Sequence, residues 1–569
     1  MTNLSPAFRR LVRLFVFLPA MMSAATEPSD WPDADGSRFS GKPVAVFGSL
    51  ALFRTSAPVL KRVPLRALSP EDCQRFHRAI AQQPARAARW AEAQAEATRD
   101  LVDNALRVDF QYRKLQPADF SALPEPELLL VFYGHNNLPG TWLMVNNIGP
   151  TYRRIQALYP GLVCGVFFGL TKSIYDHENT AVMAWMPWLV TKFARQDRMP
   201  ALSRQVTEAA PLFVVMTREG APLIIARPAD LNAVRNAIDE LSDLLWAANP
   251  ANNRAWTDRA HYGRAVRPLQ FATGNAGPEL VGNPLRPEGL RQRGITRVEA
   301  RLEIDPVGKV SAVTFPPGPT VPDKLAGQLA EAIRRSAVFL PAIDHGQAVA
   351  SSYDYVLEVP AANPRAENDA VWMDRSIRGE VPLRDWLLLT SIPVAQKDFD
   401  EIKNVGPDGK VVMNTLEVSS AKVSNQSQLS AFHTDFFTET GAGGVAPEPG
   451  QTEQIGGQTL TWRAVKTLDG FVDLKFGQKQ QTDYCVGYAW TEVEVGADLQ
   501  AWLGIGSDDG MKVWLNGELV CDRWQHNISH LDDEIVPLKL KAGKNRLLLK
   551  VQNKTRDWSF VARLRFRDR

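Results

Sequence analysis

The 569-residue sequence predicts a multi-domain α+β protein that ends in a β-sandwich. Its length exceeds the roughly 250–300 residues that one hydrophobic core supports, so several domains are expected. Strands alternate with helices over residues 108–250, which predicts an α/β sheet. From residue 383 onward many short β-prone segments are separated by turn residues, a pattern typical of a sandwich.

Composition indicates a globular chain without a strong charge preference. Hydrophobic residues make up 45% of the sequence, and it contains 65 basic and 63 acidic side chains. This balance gives no reason to expect nucleic acid or an anionic membrane as a partner.

Residues 1–25 predict a cleaved signal peptide. Arg9, Arg10 and Arg13 precede an apolar stretch over 14–22, and small residues follow up to Ala25. The apolar stretch is shorter than the roughly 20 residues that span a bilayer, which favours cleavage over a retained anchor. We therefore expect a periplasmic or secreted protein with no transmembrane segment after cleavage.

A first small module is predicted over 31–80. Short β-prone runs precede a helix start, where Ser69 is suited to the N-cap and Pro70 to the first helical position. The pattern W-x-D-x-x-G-x-x-F, followed by V-P-L-x-x-L-S-x-x-D, resembles the Sla-one homology domain, an SH3-like barrel. The resemblance implies an interaction module. Residues 85–107 are rich in Ala, Glu and Arg and predict a helical connector.

The alternating strands and helices of 108–250 resemble the thioredoxin fold, because a hairpin and a helix end the segment and Pro211 precedes a strand. That family carries C-x-x-C after the first central strand, whereas the loop 134–142 has no cysteine. Thiol–disulfide exchange needs a thiolate, so we expect no dithiol activity here. His135 in this loop is expected to be a solvated residue. Residues 251–292 are predicted to form a linker.

Residues 293–360 show the order strand, D-x-x-G-K-V, strand, helix, F-x-P-A-x-x-x-G, strand. This order resembles the C-terminal domain of TonB. The resemblance implies that fold, with a sheet edge that can pair with a protein or peptide, but not energy transduction, because this segment is internal. A second linker is predicted over 361–382.

The C-terminal module, 383–569, carries the most specific motif. G-S-D-D-G-x-K-V-W-L-N-G-E-L-V and L-K-A-G-K-N-R-L-L-L-K-V resemble the jelly-roll domain of the protective-antigen type, a group that grades into carbohydrate-binding modules. In sugar-binding members paired aspartates at this turn hold Ca²⁺, which implies that role for Asp508 and Asp509. The alternative is a purely structural turn, since Asp caps local N–H groups.

Aromatic residues of this module could stack on a sugar ring, and Trp514 and Trp524 are the candidates. Trp490 and Trp558 are further possibilities, and buried tryptophans would instead fill the sandwich. Ca²⁺ is the one cofactor considered. His526 and His530 lie four apart but in a loop, which disfavours a metal there.

The sequence contains no hydrolase, zinc-protease or nucleotide-binding motif, and no catalytic residue is assigned. We expect an exported, non-enzymatic binding protein whose sandwich binds carbohydrate or another cell-envelope ligand. The alternative is a thioredoxin-like periplasmic redox or accessory enzyme without the dithiol motif. Among the four cysteines, Cys485 and Cys521 are the one pair considered for a disulfide.

Overall fold

A computed structural model describes residues 29–567, apart from residues 82, 136–137, 172, 185, 207–210, 249–252, 283, 318–320, 375–376, 395–403, 406–410, 413–424, 456 and 478–481. The predicted signal peptide lies outside the described residues. The chain is a mixed α+β protein built on several sheets. No helix in the described ranges is long and apolar enough to cross a membrane.

The first unit is a four-stranded antiparallel sheet in the order β1-β2-β3-β4, followed by a helix. Its elements are β1 (Ser29–Pro32), β2 (Arg38–Phe47), β3 (Leu50–Arg54), β4 (Lys61–Pro64), a 3₁₀ turn (Leu65–Ala67) and α1 (Pro70–Ile80). Trp31, Phe53 and Phe76 fill its core. The Ser69 hydroxyl accepts a hydrogen bond from the Asp72 N–H at 3.0 Å, as the predicted helix start requires.

The second unit is a seven-stranded mixed sheet in the order β11-β10-β7-β8-β9-β5-β6, with β7, β8 and β9 parallel. Buried side chains cover both of its faces. Its elements are a 3₁₀ turn (Trp90–Glu92), α2 (Glu96–Val102), β5 (Ala105–Asp109), β6 (Lys114–Pro117), β7 (Leu128–Gly134), α3 (Pro139–Leu158), β8 (Val163–Gly169), α4 (Ile174–Met183), β9 (Leu189–Thr191), a 3₁₀ turn (Phe193–Arg198), α5 (Pro200–Ser203), β10 (Leu212–Thr217), β11 (Pro222–Ala226) and α6 (Leu231–Ala248).

The predicted helical connector over 85–107 is wrong. Only the 3₁₀ turn at Trp90–Glu92 and the seven residues of α2 are helical, and β5 has already begun at Ala105. Trp90 and Leu101 are buried beneath the seven-stranded sheet, so packing against the sheet, and not helix propensity, sets the conformation of this segment.

Both predicted linkers contain regular structure. Residues 251–292 include α7 (Asn253–Gln270), β12 (Glu279–Leu280) and α8 (Pro287–Arg291). Ala265 and Val266 of α7 pack in the core of the first unit, and Trp256 packs with Leu340. Residues 361–382 include α10 (Pro364–Trp372) and β19 (Ile377–Val381), which joins a sheet of the last unit. Buried apolar side chains explain why neither segment is an open linker.

The third unit is a three-stranded antiparallel sheet in the order β14-β13-β18, with a helix packed on one face. Its elements are β13 (Arg297–Ile304), β14 (Val310–Thr314), α9 (Asp323–Ser336), β15 (Phe339–Leu340), β16 (Ala342–Asp344), β17 (Gln347–Val349) and β18 (Ser351–Glu358). Strand β18 stands at an edge of this sheet.

The last unit, here called the two-sheet unit, has a six-stranded sheet (β25-β20-β27-β32-β29-β30) and a five-stranded sheet (β19-β33-β28-β31, with β26 beside β33). Its elements are β20 (Asp385–Pro393), β21 (Asn404–Val405), β22 (Val411–Val412), α11 (Asn425–His433), a 3₁₀ turn (Ala442–Gly444), β23 (Thr452–Ile455), β24 (Gln458–Thr461), β25 (Arg463–Lys466), β26 (Phe471–Asp473), β27 (Cys485–Val495), β28 (Leu499–Asp508), β29 (Met511–Leu515), β30 (Glu518–Arg523), β31 (Glu534–Leu540), β32 (Gly543–Asn553) and β33 (Ser559–Arg567).

One core lies between the two sheets, where Leu549 of one sheet packs with Leu503 and Leu564 of the other. A second apolar layer covers the outer face of the six-stranded sheet and includes Phe437 and Trp462. The two-sheet unit also contacts the second unit, because the backbone N–H of Leu531 donates to the Asn147 side chain of α3 at 2.9 Å.

Candidate functional site

Asp508 and Asp509 lie where β28 ends and the chain turns through Gly510 into β29. Asp508 is opposite Ser559 of β33, whereas Met511, after the turn, is opposite Val551 of β32. The two aspartates therefore stand at the crossing from one sheet to the other, and the peptide bond between them is cis.

Asp508 is a largely buried acid whose carboxylate pairs with none of the described residues. The residue is 6% exposed, and its carboxylate has no hydrogen bond or ion pair within the described residues. Burial raises the pKa of Asp508 to about 8, and the negative charges of Asp509 and Asp557 add to the effect. A proton or a cation would stabilise a carboxyl group in this state.

Asp509 is equally buried, at 7% exposure, but it is hydrogen-bonded. One carboxylate oxygen accepts from the backbone N–H of Asn527 at 3.0 Å, and the other accepts from that of Lys554 at 2.6 Å. Both carboxylate oxygens are thus held by backbone donors. Each oxygen retains a further lone pair, so the carboxylate can also coordinate a cation.

An aromatic wall borders the pair of aspartates. Phe432 and Trp524 lie beside Gly510, since a Cβ added there would be 3.2 Å from the Phe432 ring and 3.4 Å from the Trp524 ring. The Trp524 ring is 5.0 Å from that of His526, and the His526 Nδ1 lies 3.8 Å from Asp509. Trp524 is partly exposed, as a stacking surface must be.

Trp514 does not belong to this cluster. Val513 faces the core between the sheets, so the neighbouring Trp514 faces outward and packs in the second apolar layer. Trp490 packs in the same outer layer, and Trp558 is buried between the sheets. The structure thus brings together Asp508, Asp509 and Trp524 among the predicted residues and leaves Trp514 apart.

The site also contains residues that the sequence did not single out. Asn527 belongs to the loop 524–533, Lys554 follows β32, and Phe432 lies in α11. Each comes from a different segment. The side-chain amide of Asn527 donates to Asp533 at 3.4 Å, and Asp533 accepts from Arg153 of α3 at 2.9 Å. Helix α3 of the second unit therefore supports the loop that borders the site.

The two carboxylates fit a hard cation in charge and donor type. Ca²⁺ takes six to eight oxygen ligands, including carboxylates, carbonyls and water. No group of three or more His, Cys, Asp or Glu side chains suited to a metal is found in the described part of the chain. Besides Asp508 and Asp509, a cation would therefore need backbone, amide, water or ligand oxygens.

His530 and its acidic neighbours form no such group. Asp532 is ion-paired with Arg563, and Asp533 with Arg153 and Arg523. Burial lowers the pKa of His530, which keeps the ring neutral. These side chains stabilise the loop through charge pairing.

Cys485 and Cys521 are not joined in a disulfide. They lie on β27 and β30, which are three strand spacings apart in the six-stranded sheet. That separation is about 14 Å, beyond the roughly 7 Å that a disulfide spans between Cα atoms. The predicted disulfide between Cys485 and Cys521 is therefore wrong.

The loop after β7 has no thiol near it. The His135 N–H donates to the Thr141 hydroxyl at 3.2 Å, and residues 136–137 are outside the described part. Cys164 is paired with Leu129 near the start of parallel β7, whereas the loop follows the other end of that strand at Gly134. Cys164 and the loop thus lie at opposite ends of these parallel strands.

No family model and no curated protein matches this chain. Among solved structures, it is similar to thioredoxin from Wuchereria bancrofti, with 14% identity over 26% of this chain and 98% of that one and a TM-score of 0.18. Tryparedoxin II from C. fasciculata matches at 16% identity over 24% of this chain and 85% of that one, with a TM-score of 0.18.

An anti-sigma factor domain-containing protein from Clostridium clariflavum matches at 18% identity over 19% of this chain, with a TM-score of 0.16. This chain spans 36% of that protein's length. The neighbours thus include thioredoxin-like proteins. Because all three TM-scores are this low, no property of these proteins is transferred to this chain.

Proposed function

We propose that the protein is an exported, non-enzymatic binding protein whose two-sheet unit is a jelly roll that binds carbohydrate through Ca²⁺. The observation that supports this most is the buried pair Asp508 and Asp509, in which the Asp508 carboxylate has no partner among the described residues. A divalent cation would neutralise both charges and would remove the cost of leaving one unpaired.

The surroundings of the pair support a sugar as the ligand. Ca²⁺ coordinates hydroxyl oxygens readily, and the partly exposed ring of Trp524 lies beside Gly510, the residue that follows Asp509. A sugar ring stacked on Trp524 could present hydroxyl groups to the cation. Trp514 has no such role in the proposal, because it packs in the outer apolar layer.

The remaining units are proposed to make protein contacts. The first unit is an SH3-like module, the second is thioredoxin-like, and the third resembles the C-terminal domain of TonB. Support for a peptide partner comes from β18, whose outer edge pairs with no strand of the described residues and could add an extended strand. The basic and apolar residues before Ala25 support export to the periplasm or beyond.

A redox function is the less supported alternative. Burial raises the pKa of each of Cys73, Cys164, Cys485 and Cys521 to about 12. All four thiols are therefore protonated at neutral pH, and the loop after β7 carries none of them.

The proposal is tested with a glycan array probed with the full chain in Ca²⁺ and again in chelator. We expect binding to a restricted set of glycans that is lost in chelator and in Asp508→Asn. Trp524→Ala should weaken binding, whereas Trp514→Ala, the matched control, should leave it unchanged in the folded protein. Binding that is equal with and without Ca²⁺, or no binding to any glycan, would contradict the proposal.

A further inference from the structure

A second candidate site lies in the seven-stranded unit, far in sequence from the aspartate pair. A cavity of about 420 Å³ opens between α3, the end of β5 and the starts of β8 and β9. This volume is within the range of roughly 300–1,000 Å³ that is usual for small-molecule sites. Its walls are mainly aromatic and aliphatic, with Trp90, Phe110, Tyr152, Met186 and Trp188 among them.

Arg107 is the one charged residue among the described residues that line this cavity. Its side chain is exposed, and its guanidinium forms no hydrogen bond or ion pair in the described part of the chain. It lines the cavity together with Cys164 and Tyr152, and its positive charge lowers the pKa of both groups slightly against the larger effect of burial.

The lining supplies no anion for Arg107. Burial raises the pKa of Cys164 to about 12 and raises that of Tyr152 as well, so both groups are neutral at pH 7. The Tyr152 hydroxyl accepts from the Gly165 N–H at 3.1 Å, and the Gln156 amide donates to the Val163 carbonyl at 2.6 Å. These two groups are satisfied internally, whereas the Arg107 guanidinium and the buried Trp188 Nε1–H have no partner in the described part of the chain.

We propose that this cavity binds a small apolar molecule that carries a single carboxylate, with the apolar body between Trp188, Tyr152 and Phe110 and the carboxylate on Arg107. Charge complementarity selects the acid, because an arginine–carboxylate pair is charge-assisted and can be bidentate. The aromatic walls favour a flat or compact hydrocarbon body. Such a site is independent of the Ca²⁺ site.

The probes are 2-naphthoate and its neutral analogue 2-naphthylmethanol, titrated into the full chain by calorimetry. We expect 2-naphthoate to bind at least tenfold more tightly than the alcohol. Arg107→Met should weaken 2-naphthoate about tenfold and leave the alcohol within twofold. Arg78→Met, which removes an exposed arginine outside the cavity, should change neither.

Phe110→Ala provides the second variant. This residue is 43% exposed, so its truncation should leave the protein folded. It should weaken both probes severalfold, because it removes part of the apolar wall. Circular dichroism confirms that each variant is folded. The proposal is overturned if neither probe binds the unmodified chain, if Arg107→Met binds 2-naphthoate as before, or if Phe110→Ala affects neither probe.

Discussion

The guanidinium of Arg563 in β33 lies 2.5 Å from the carboxylate of Asp532, and the two side chains are 1% and 0% exposed. Arg563 also contacts Asp239 of α6 at 3.2 Å. Nearby, Arg154 of α3 donates to the Asp532 carbonyl at 2.8 Å. These buried contacts join the seven-stranded unit to the two-sheet unit and hold the loop that borders the aspartate pair.

Removing one member of this buried pair should be costly. Asp532→Ala leaves only Asp239 to offset the buried positive charge of Arg563. We therefore expect the free energy of unfolding to fall by about 3–5 kcal/mol. Urea unfolding of the full chain measures it. The matched control is Asp385→Ala, which breaks an exposed pair with Lys466 and should have little effect. Equal stability of the two variants would refute the role of the pair.

Asp508 should make stability depend on pH in the absence of Ca²⁺. Its pKa of about 8 in the folded protein exceeds the value near 4 of an unfolded chain, so the folded state retains a proton that the unfolded state has lost. The free energy of unfolding therefore falls as pH rises from about 4 to 8 and then levels off.

Asp508→Asn should remove this dependence and stabilise the Ca²⁺-free protein at pH 8 by roughly 2–5 kcal/mol. Calorimetric melting between pH 5 and 8 measures the effect. The control is Asp498→Asn, because a hydrogen bond from the Ala542 N–H lowers the pKa of Asp498, so no gain at pH 8 is expected. A wild-type melting temperature that does not fall over this range would argue against a protonated, buried Asp508.

The protein should not catalyse disulfide reduction. All four thiols have a pKa raised to about 12 by burial, and the thiolate is the reactive form. We expect no insulin reduction above the uncatalysed rate with a dithiol regenerant, and slow alkylation by iodoacetamide at pH 7. Thioredoxin is the positive control. Turnover that is lost on mutation of a residue in the loop 134–142 would contradict this.

Strand β18 should be protected from amide exchange on one side only. It pairs with β13 through Ser351–Glu358, and no described strand lies at its other edge. Amides directed toward β13 should exchange slowly and the alternate amides quickly. Slow exchange of every amide in β18 without an added partner would show that the edge is already covered.

Local chemistry makes some of the fold predictable. Ser69 and Pro70 specify the start of α1, and the apolar run around Leu130 specifies a buried strand. The prediction fails where tertiary packing overrides composition. Residues 85–107 are helix-prone, yet the burial of Trp90 and the pairing of Ala105 in the seven-stranded sheet determine their structure.

The candidate site is predictable only in part. Asp508 and Asp509 stand out in the sequence because they share one turn. Asn527, Lys554 and Phe432 come from separate segments and meet the pair only through the fold. Strand alternation shows that Trp514 and Val513 face opposite sides, but it does not show that the side facing Trp514 is covered by a second apolar layer.

The most direct test is a calorimetric titration of Ca²⁺ into the full chain after chelator treatment, with Asp508→Asn and Asp509→Asn alongside. We expect one saturable site in the unmodified chain, together with a rise in melting temperature, because the cation binds only the folded state. Each variant should lose both effects while remaining folded. No detectable heat at millimolar Ca²⁺ and an unchanged melting temperature would contradict the proposed cation site.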